Sequence, residues 1–339
     1  ITRLGEKAIE YQCDFIIVAG DVFEHNSISA KTRERALAAL AALPVDVYLL
    51  PGNHDPLTAD SIFYRAESHP RIHVFTPIEV APGVELIGAP WHSKTPSCDL
   101  VSHAIADLEP AATIRIVVGH GQLDNRSNDI RMDIIDRDTV EAAIRGGTID
   151  YLALGDTHSA ISLSDTGAIW FSGAPEVTAF RELPSGQGEN NSGKALIVDI
   201  TKSAAAQAEV TVTETQIGTW RFDAISADVN SLDDVRDFIA QLDAYPRKDR
   251  TVIKYSLVGA VDLATRQHLE AELARLRPLF AHLYPRTRTM NLTTAATDVD
   301  IADLDLSGFV LAAAQELAAD TDPVASDALN LLLQLHNEV

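Results

Sequence analysis

Apolar residues at helical spacing (Ile1, Leu4, Ala8, Ile9), with charges between them, predict a helix over the first eleven residues. A β-rich run follows, Phe15-Ile16-Ile17-Val18, ending in Ala19-Gly20-Asp21. Residues 30–43 read as a second helix and 45–50 as a second strand, stopped by Pro51-Gly52. Further short strands are predicted at 72–75, 84–87, 114–118 and 151–154, with helical stretches such as 98–108 and 139–145 between them. Several of these strands are unbroken apolar runs, the pattern of strands covered on both faces. Strands alternating with helices predict an α/β layered domain.

Residues 161–163, 168–171 and 195–200 read as closing strands of that domain, and the Gly-, Ser- and Asn-rich segment 183–194 as a surface loop. Beyond 200 the pattern changes to strands at 210–213, 224–229 and 251–257, with helices at 232–242 and 263–276. The expected organisation is a first domain over 1–200, a smaller α+β unit over 208–288, and a helical tail over 295–339 with helices near 307–319 and 324–336.

Composition narrows the class. Of 339 residues, 46% are hydrophobic and 22% charged, which excludes a disordered chain, a collagen-like fibre and a coiled-coil rod. With 27 Lys and Arg against 49 Asp and Glu the net charge is −22, an argument against coating nucleic acid through bulk charge. The longest apolar stretch, 36–50, is broken by Pro44 and Asp46 and is too short to cross a bilayer. No basic segment followed by an apolar one opens the chain. Cys13 and Cys98 form no CxxC pair, so a cytoplasmic protein without a disulfide framework is expected.

Four short segments hold most of the metal-capable side chains of the first domain. They are Gly20-Asp21-Val22-Phe23-Glu24, Gly52-Asn53-His54-Asp55, Gly119-His120-Gly121 and Gly155-Asp156-Thr157-His158. Each follows an apolar strand, and in open α/β sheets ligands bind at the carboxyl ends of strands. A preceding Gly lets the chain turn sharply out of the strand. Asp, Asn and His together offer oxygen and nitrogen ligands that suit Mn²⁺, Fe²⁺ or Zn²⁺ better than Ca²⁺. Two such ions can activate water and clamp a phosphate.

With these motifs the sequence resembles the calcineurin-like metallophosphoesterases, and within them the SbcD-type nucleases of double-strand-break repair. Ala19-Gly20-Asp21-Val22-Phe23-Glu24-His25-Asn26-Ser27-Ile28-Ser29, Leu49-Leu50-Pro51-Gly52-Asn53-His54-Asp55 and Phe171-Ser172-Gly173-Ala174-Pro175-Glu176 carry that resemblance. It implies a layered metallophosphoesterase sandwich with a capping domain, and two divalent ions, Mn²⁺ first, with Mg²⁺, Fe²⁺ or Zn²⁺ as alternatives. Asp21 would bridge the ions, Asn53 and His120 would bind the second, and His158 the first. His54 would serve the leaving oxygen as acid or stabilise the transition state, and Asp55 is the natural group to fix its tautomer. Asp156 stands where the family usually has His; a carboxylate there can still bind a divalent ion and favours Mn²⁺ or Mg²⁺. The family's first motif, Asp-x-His, does not precede Asp21. Because the chain opens inside a helical pattern, residues before Ile1 are expected in the natural protein; the alternative is a mono-metal or inactive member.

Other residues keep two readings. His25 could contact substrate phosphate or be a solvated turn residue. His92, within Trp91-His92-Ser93-Lys94, could line the cleft or sit in an ordinary loop. Arg126 and Arg131 could bind phosphate oxygens or lie on the surface. Residues 245–288 carry nine basic against four acidic side chains, a local DNA contact or a salt-bridged surface. The tail from 297 has nine acidic residues, no Lys or Arg, and many Leu. It packs on its own domain or docks a partner, which by the resemblance would be an SbcC-type ABC ATPase. A homodimer is also open, and no membrane partner is expected. The leading expectation is a metal-dependent DNA exonuclease of an SbcCD-like complex. A phosphodiesterase of small substrates such as cyclic nucleotides, and an inactive adaptor for an ATPase, are the alternatives.

Overall fold

The computed structural model describes residues 1–66, 69–75, 78–124, 133–188, 190–203, 207–295 and 306–320, together with 322, 324–325, 328–329 and 331–332. Two compact units emerge, the first formed by Ile1–Thr178 and Glu189–Thr219, the second by Ala179–Gly188 and Trp220–Val339.

In the first unit α1 (Thr2–Glu10), β1 (Phe15–Val18), α2 (Ala30–Ala41), β2 (Asp46–Leu49), α3 (Phe63–Ala66) and β3 (Ile72–Val74) come first. The strands form a parallel sheet in the order β1-β2-β3. Next come β4 (Ile78–Ala81), β5 (Val84–Gly88), α4 (Leu100–Ile105), β6 (Ile114–His120), β7 (Gln122–Asp124), β8 (Ile134–Asp136), α5 (Arg137–Arg145), β9 (Tyr151–Gly155), β10 (Ile161–Ser162) and β11 (Ile169–Phe171). They build a second sheet, β10-β11-β9-β6-β5-β4, whose four central strands are parallel, with β7 and β8 as a separate pair. After β12 (Arg181–Leu183), which joins the second unit, β13 (Lys194–Thr201) and β14 (Glu209–Gln216) form an antiparallel ribbon in the first.

The unbroken apolar runs have a packing reason. Side chains alternate across a strand, and here each side meets a hydrophobic layer. Val47 and Leu49 of β2 pack with Leu37, Leu40 and Phe63 of the helices outside the first sheet. Tyr48 and Leu50 point the other way, toward Ile116 and Val118 of β6. Val117 and Leu152 face Val101, Ile105 and Val140 of the helices outside the second sheet. The result is a helix–sheet–sheet–helix sandwich, the mixed α/β architecture expected from the sequence. Ser29 starts α2 by accepting from the Thr32 N–H at 3.1 Å, and Asp99 does the same for α4 through Val101 and Ser102.

The second unit comprises β12, β15 (Arg221–Asp228), α6 (Leu232–Asp243), β16 (Thr251–Asp262), α7 (Leu263–Leu276), β17 (His282–Pro285), β18 (Asn291–Ala295) and α8 (Gly308–Ala319). Its sheet is parallel throughout, with the twelve-residue β16 pairing β17 along one half and β18 along the other. Val235, Phe238 and Leu242 of α6 and Leu269, Leu273 and Leu276 of α7 cover it through Ile225, Ile253, Tyr255 and Leu257. Leu306, Ala314 and Leu329 of the tail pack with Leu263. The hydrophobic pattern groups residues 210–213 with this unit, yet they lie in β14, paired to β13 over its whole length. Conversely Arg181, Glu182 and Leu183, inside the predicted first domain of 1–200, pair with Asp223, Ala224 and Ile225 of the second unit. At least five of the nine basic residues over 245–288 are in ion pairs inside this unit: Arg247, Lys254, Arg266, Arg275 and Arg286. No described helix is long and apolar enough to cross a membrane.

Candidate metal centre

The site gathers at the carboxyl ends of β1 and β2 in one sheet and β6 and β9 in the other. Beyond β1 the backbone turns through Gly20 at φ +93 and Asp21 at φ +51, and beyond β9 through Asp156 at φ +101. Positive φ is costly for residues with a Cβ and tends to cluster at functional sites. Space is equally tight. A Cβ on Gly20 would stand 2.1 Å from the His120 ring, and one on Gly155 would stand 1.8 Å from the Ala19 carbonyl.

The turns bring Asp21, His120 and Asp156 together, with one ligand atom of each within 4.8 Å of the others. His120 Nε2 lies 3.1 Å from an Asp21 oxygen and 3.8 Å from an Asp156 oxygen. It is also 2.9 Å from Asn53 Oδ1. The other ring nitrogen, Nδ1, donates to the Ala19 carbonyl at 2.8 Å. That bond fixes the tautomer, so Nε2 of the neutral ring is an acceptor facing three oxygen acceptors. With the amide oxygen turned inward, a proton or a cation satisfies them. Burial opposes a charge on His120, but the hydrogen bond and charge of Asp21 prevail and raise its pKa above the usual histidine value. Burial likewise works against the Asp21 carboxylate, and His120 and the His54 N–H hold its pKa below the ordinary range. Turned over, the Asn53 amide can instead donate to Nε2 at 2.9 Å and to Asp21 at 3.2 Å. Imidazole, carboxylate and amide oxygen are the ligand set of a borderline divalent ion, and a proton competes with such an ion for Nε2. The residues fit.

The remaining predicted residues fall in different places. His158 is exposed and lies outside this cluster; the Thr178 hydroxyl is 2.7 Å from its Nδ1. The His54 backbone N–H donates to Asp21 at 3.0 Å, and its exposed ring stands beside the motif. Its Nδ1 is 3.2 Å from the Glu24 carbonyl and 3.6 Å from the Glu24 carboxylate. Asp55 therefore has a different task from the one expected. Its two carboxylate oxygens accept from the Gly52 and Phe23 backbone N–H groups, both at 2.8 Å. Asp55 is fully buried, and that burial raises its pKa despite the two donors. The carboxylate ties the two ligand loops together, and Glu24 is the acid next to His54. The spacing Gly-Asp-x-x-Glu held a signal for Glu24 that motif reading passed over. His25 and His92 are exposed. Arg126 and Arg131 lie outside the described residues.

Comparison with known proteins adds to this geometry. No curated protein matches the chain. Among solved structures 29 chains match. One crystal structure is 16% identical over 51% of this chain and 84% of its own, with a TM-score of 0.32, a slight likeness. The profile of calcineurin-like phosphoesterases matches residues 1–184, a span that holds all four motifs. A two-sheet sandwich with Asp, Asn and His converging at its strand ends, matched over more than half of the chain, places this protein in the calcineurin-like phosphoesterase family.

Proposed function

We propose that the chain is a metal-dependent phosphodiesterase acting on DNA ends, the nuclease subunit of an SbcCD-like complex. The observation that carries the phosphodiesterase reading is the convergence of Asp21, His120 and Asp156 on one point, with Asn53 beside them. The DNA substrate rests on the resemblance of the Ala19–Ser29, Leu49–Asp55 and Phe171–Glu176 segments to SbcD-type nucleases. Asp21, Asn53, His120 and Asp156 would hold one divalent ion, and His158 would help hold a second. When bound, such ions polarise the phosphate and lower the pKa of water.

The protein's own part is positioning and proton transfer. His54 would give a proton to the leaving oxygen as water attacks phosphorus and the P–O bond breaks; its exposed ring beside Asp21, with Nδ1 facing Glu24, supports that role. The tail would dock an SbcC-type ATPase. In support, Phe309 is 85% exposed and Leu331 58%, in a segment without basic residues. A homodimer belongs to the same proposal.

One observation favours a second reading, a small phosphodiester such as a cyclic nucleotide. The basic stretch of the second unit spends at least five of its nine charges on internal ion pairs, which leaves less for a phosphate backbone. Incubating the chain and Mn²⁺ with end-labelled linear duplex DNA, and separately with cyclic nucleotides, decides between them. Mn²⁺-dependent shortening of DNA is expected, reduced roughly 100- to 10,000-fold in His54→Ala, the range of a general acid. Hydrolysis of cyclic nucleotides alone favours the second reading, and undiminished cleavage by His54→Ala removes its role.

A further inference from the structure

Trp91 follows β5 in the second sheet and is 5% exposed. Three bonds make it more than a space filler. Its indole N–H donates to the His120 carbonyl at 2.8 Å. Its backbone N–H donates to the Pro51 carbonyl at 3.1 Å, and its own carbonyl accepts from Leu57 at 2.7 Å. The indole also meets the His120 ring edge-on, with centroids 6.3 Å apart and planes at 86°. Pro51 and Leu57 bracket the loop that carries Asn53, and that loop leaves β2 in the first sheet. One residue thus fastens the ligand loop of one sheet to the ligand histidine of the other.

A large apolar side chain could fill this volume, but only one that carries a hydrogen-bond donor can hold the carbonyl. The fastening matters because it holds the His120 backbone, from which the ring is aimed at the Ala19 carbonyl and Asp21. If the indole let go, the backbone that carries the ring would lose this anchor, and with it Nε2 its fixed aim.

We propose that Trp91 is a positioning residue for the divalent-cation site, holding His120 and the Asn53 loop in the arrangement where their ligand atoms meet. This rests on the reading that His120 binds a metal. A second tryptophan supplies the control. Trp170 also gives its indole N–H to a backbone carbonyl, that of Gly167 at 3.0 Å, away from the ligand loops of the same unit.

The test is isothermal titration of Mn²⁺ into the full chain and into Trp91→Phe and Trp170→Phe, each checked for folding by circular dichroism. If Trp91→Phe does not fold, a sulfur isostere of tryptophan lacking the N–H replaces it. Loss of an outer-shell partner typically weakens metal binding 10- to 100-fold. A drop of tenfold or more is expected for Trp91→Phe, and less than twofold for Trp170→Phe. Equal weakening in both variants, or binding by Trp91→Phe within twofold of the unmodified chain, overturns the proposal. If the unmodified chain takes up no Mn²⁺, the metal reading fails, and imidazole NMR of the metal-free chain judges Trp91 separately. At a pH where the ring is neutral, His120 should carry its proton on Nδ1 alone in the unmodified chain and exchange between nitrogens in Trp91→Phe. Identical spectra overturn the role.

Discussion

A carboxylate taken out of water is unfavourable unless its oxygens find donors, and Asp55 finds two in different loops. Truncating it leaves the Gly52 and Phe23 N–H groups buried without an acceptor, at about 1–3 kcal/mol each. Asp55→Ala is therefore expected to lose about 3 kcal/mol of stability in urea unfolding, with Mn²⁺ affinity falling as the loops loosen. A loss below about 1 kcal/mol would mean that water reaches those donors. Motif reading picked out side chains that the fold then gathers: Asp21, Asn53, His120 and Asp156 are types that suit a borderline ion, each at a strand end. It could not find their supports. Whether Asp55 faces His54 or the backbone, and whether Glu24 reaches His54, depends on the path of two loops far apart in sequence. Likewise, nothing in Gly155 as a letter tells that its missing Cβ makes room for the Ala19 carbonyl.

Among the elements, those legible in the sequence carry their signal within themselves. The run Tyr151–Gly155 is apolar enough to be a strand anywhere, and 263–276 is helical both by pattern and in the structure. The elements missed draw their stability from neighbours. Asn291–Ala295 is polar in sequence and becomes a strand by pairing with Val258–Asp262; His282–Pro285 ends in a proline, a residue that argues against a central strand. Pairing itself is a tertiary property, which is why β14 was grouped with the wrong neighbours. The β13–β14 ribbon is tied to the second sheet by a buried ion pair. Lys202 Nζ lies 2.9 Å from an Asp150 oxygen, with side-chain exposures of 5% and 2%, and also donates to the Thr113 carbonyl at 3.0 Å. Removing one partner of such a pair strands the other charge, at about 3–5 kcal/mol. Lys202→Ala is expected to lose roughly that much, with faster hydrogen exchange along β13 and β14. Unchanged exchange there would show that Val198, Ile200, Val210 and Val212 hold the ribbon through their apolar contacts alone.

For the molecule as a whole, the charge of −22 is compatible with a phosphoesterase because it is unevenly distributed, with nine acidic residues and no basic ones from 297 onward. The division into two units has a thermodynamic consequence. Each unit has its own hydrophobic core, whereas Asp21, Asn53, His120 and Asp156 all belong to the first. A ligand that binds only the folded form stabilises what it binds, by about 2.7 kcal/mol at a hundred times its dissociation constant. In a unit of this size each kcal/mol moves the melting point by roughly 2–4 °C. Scanning calorimetry of the intact chain should therefore show one transition rising by roughly 5–10 °C when Mn²⁺ is added, and falling back with a chelator. The transition of the second unit should stay where it was. His120→Ala, which removes the imidazole from the cluster, should abolish the shift while leaving that second transition untouched. If both transitions rise together with Mn²⁺, the ion stabilises the two units jointly, and the metal site cannot be treated as the property of the sandwich alone.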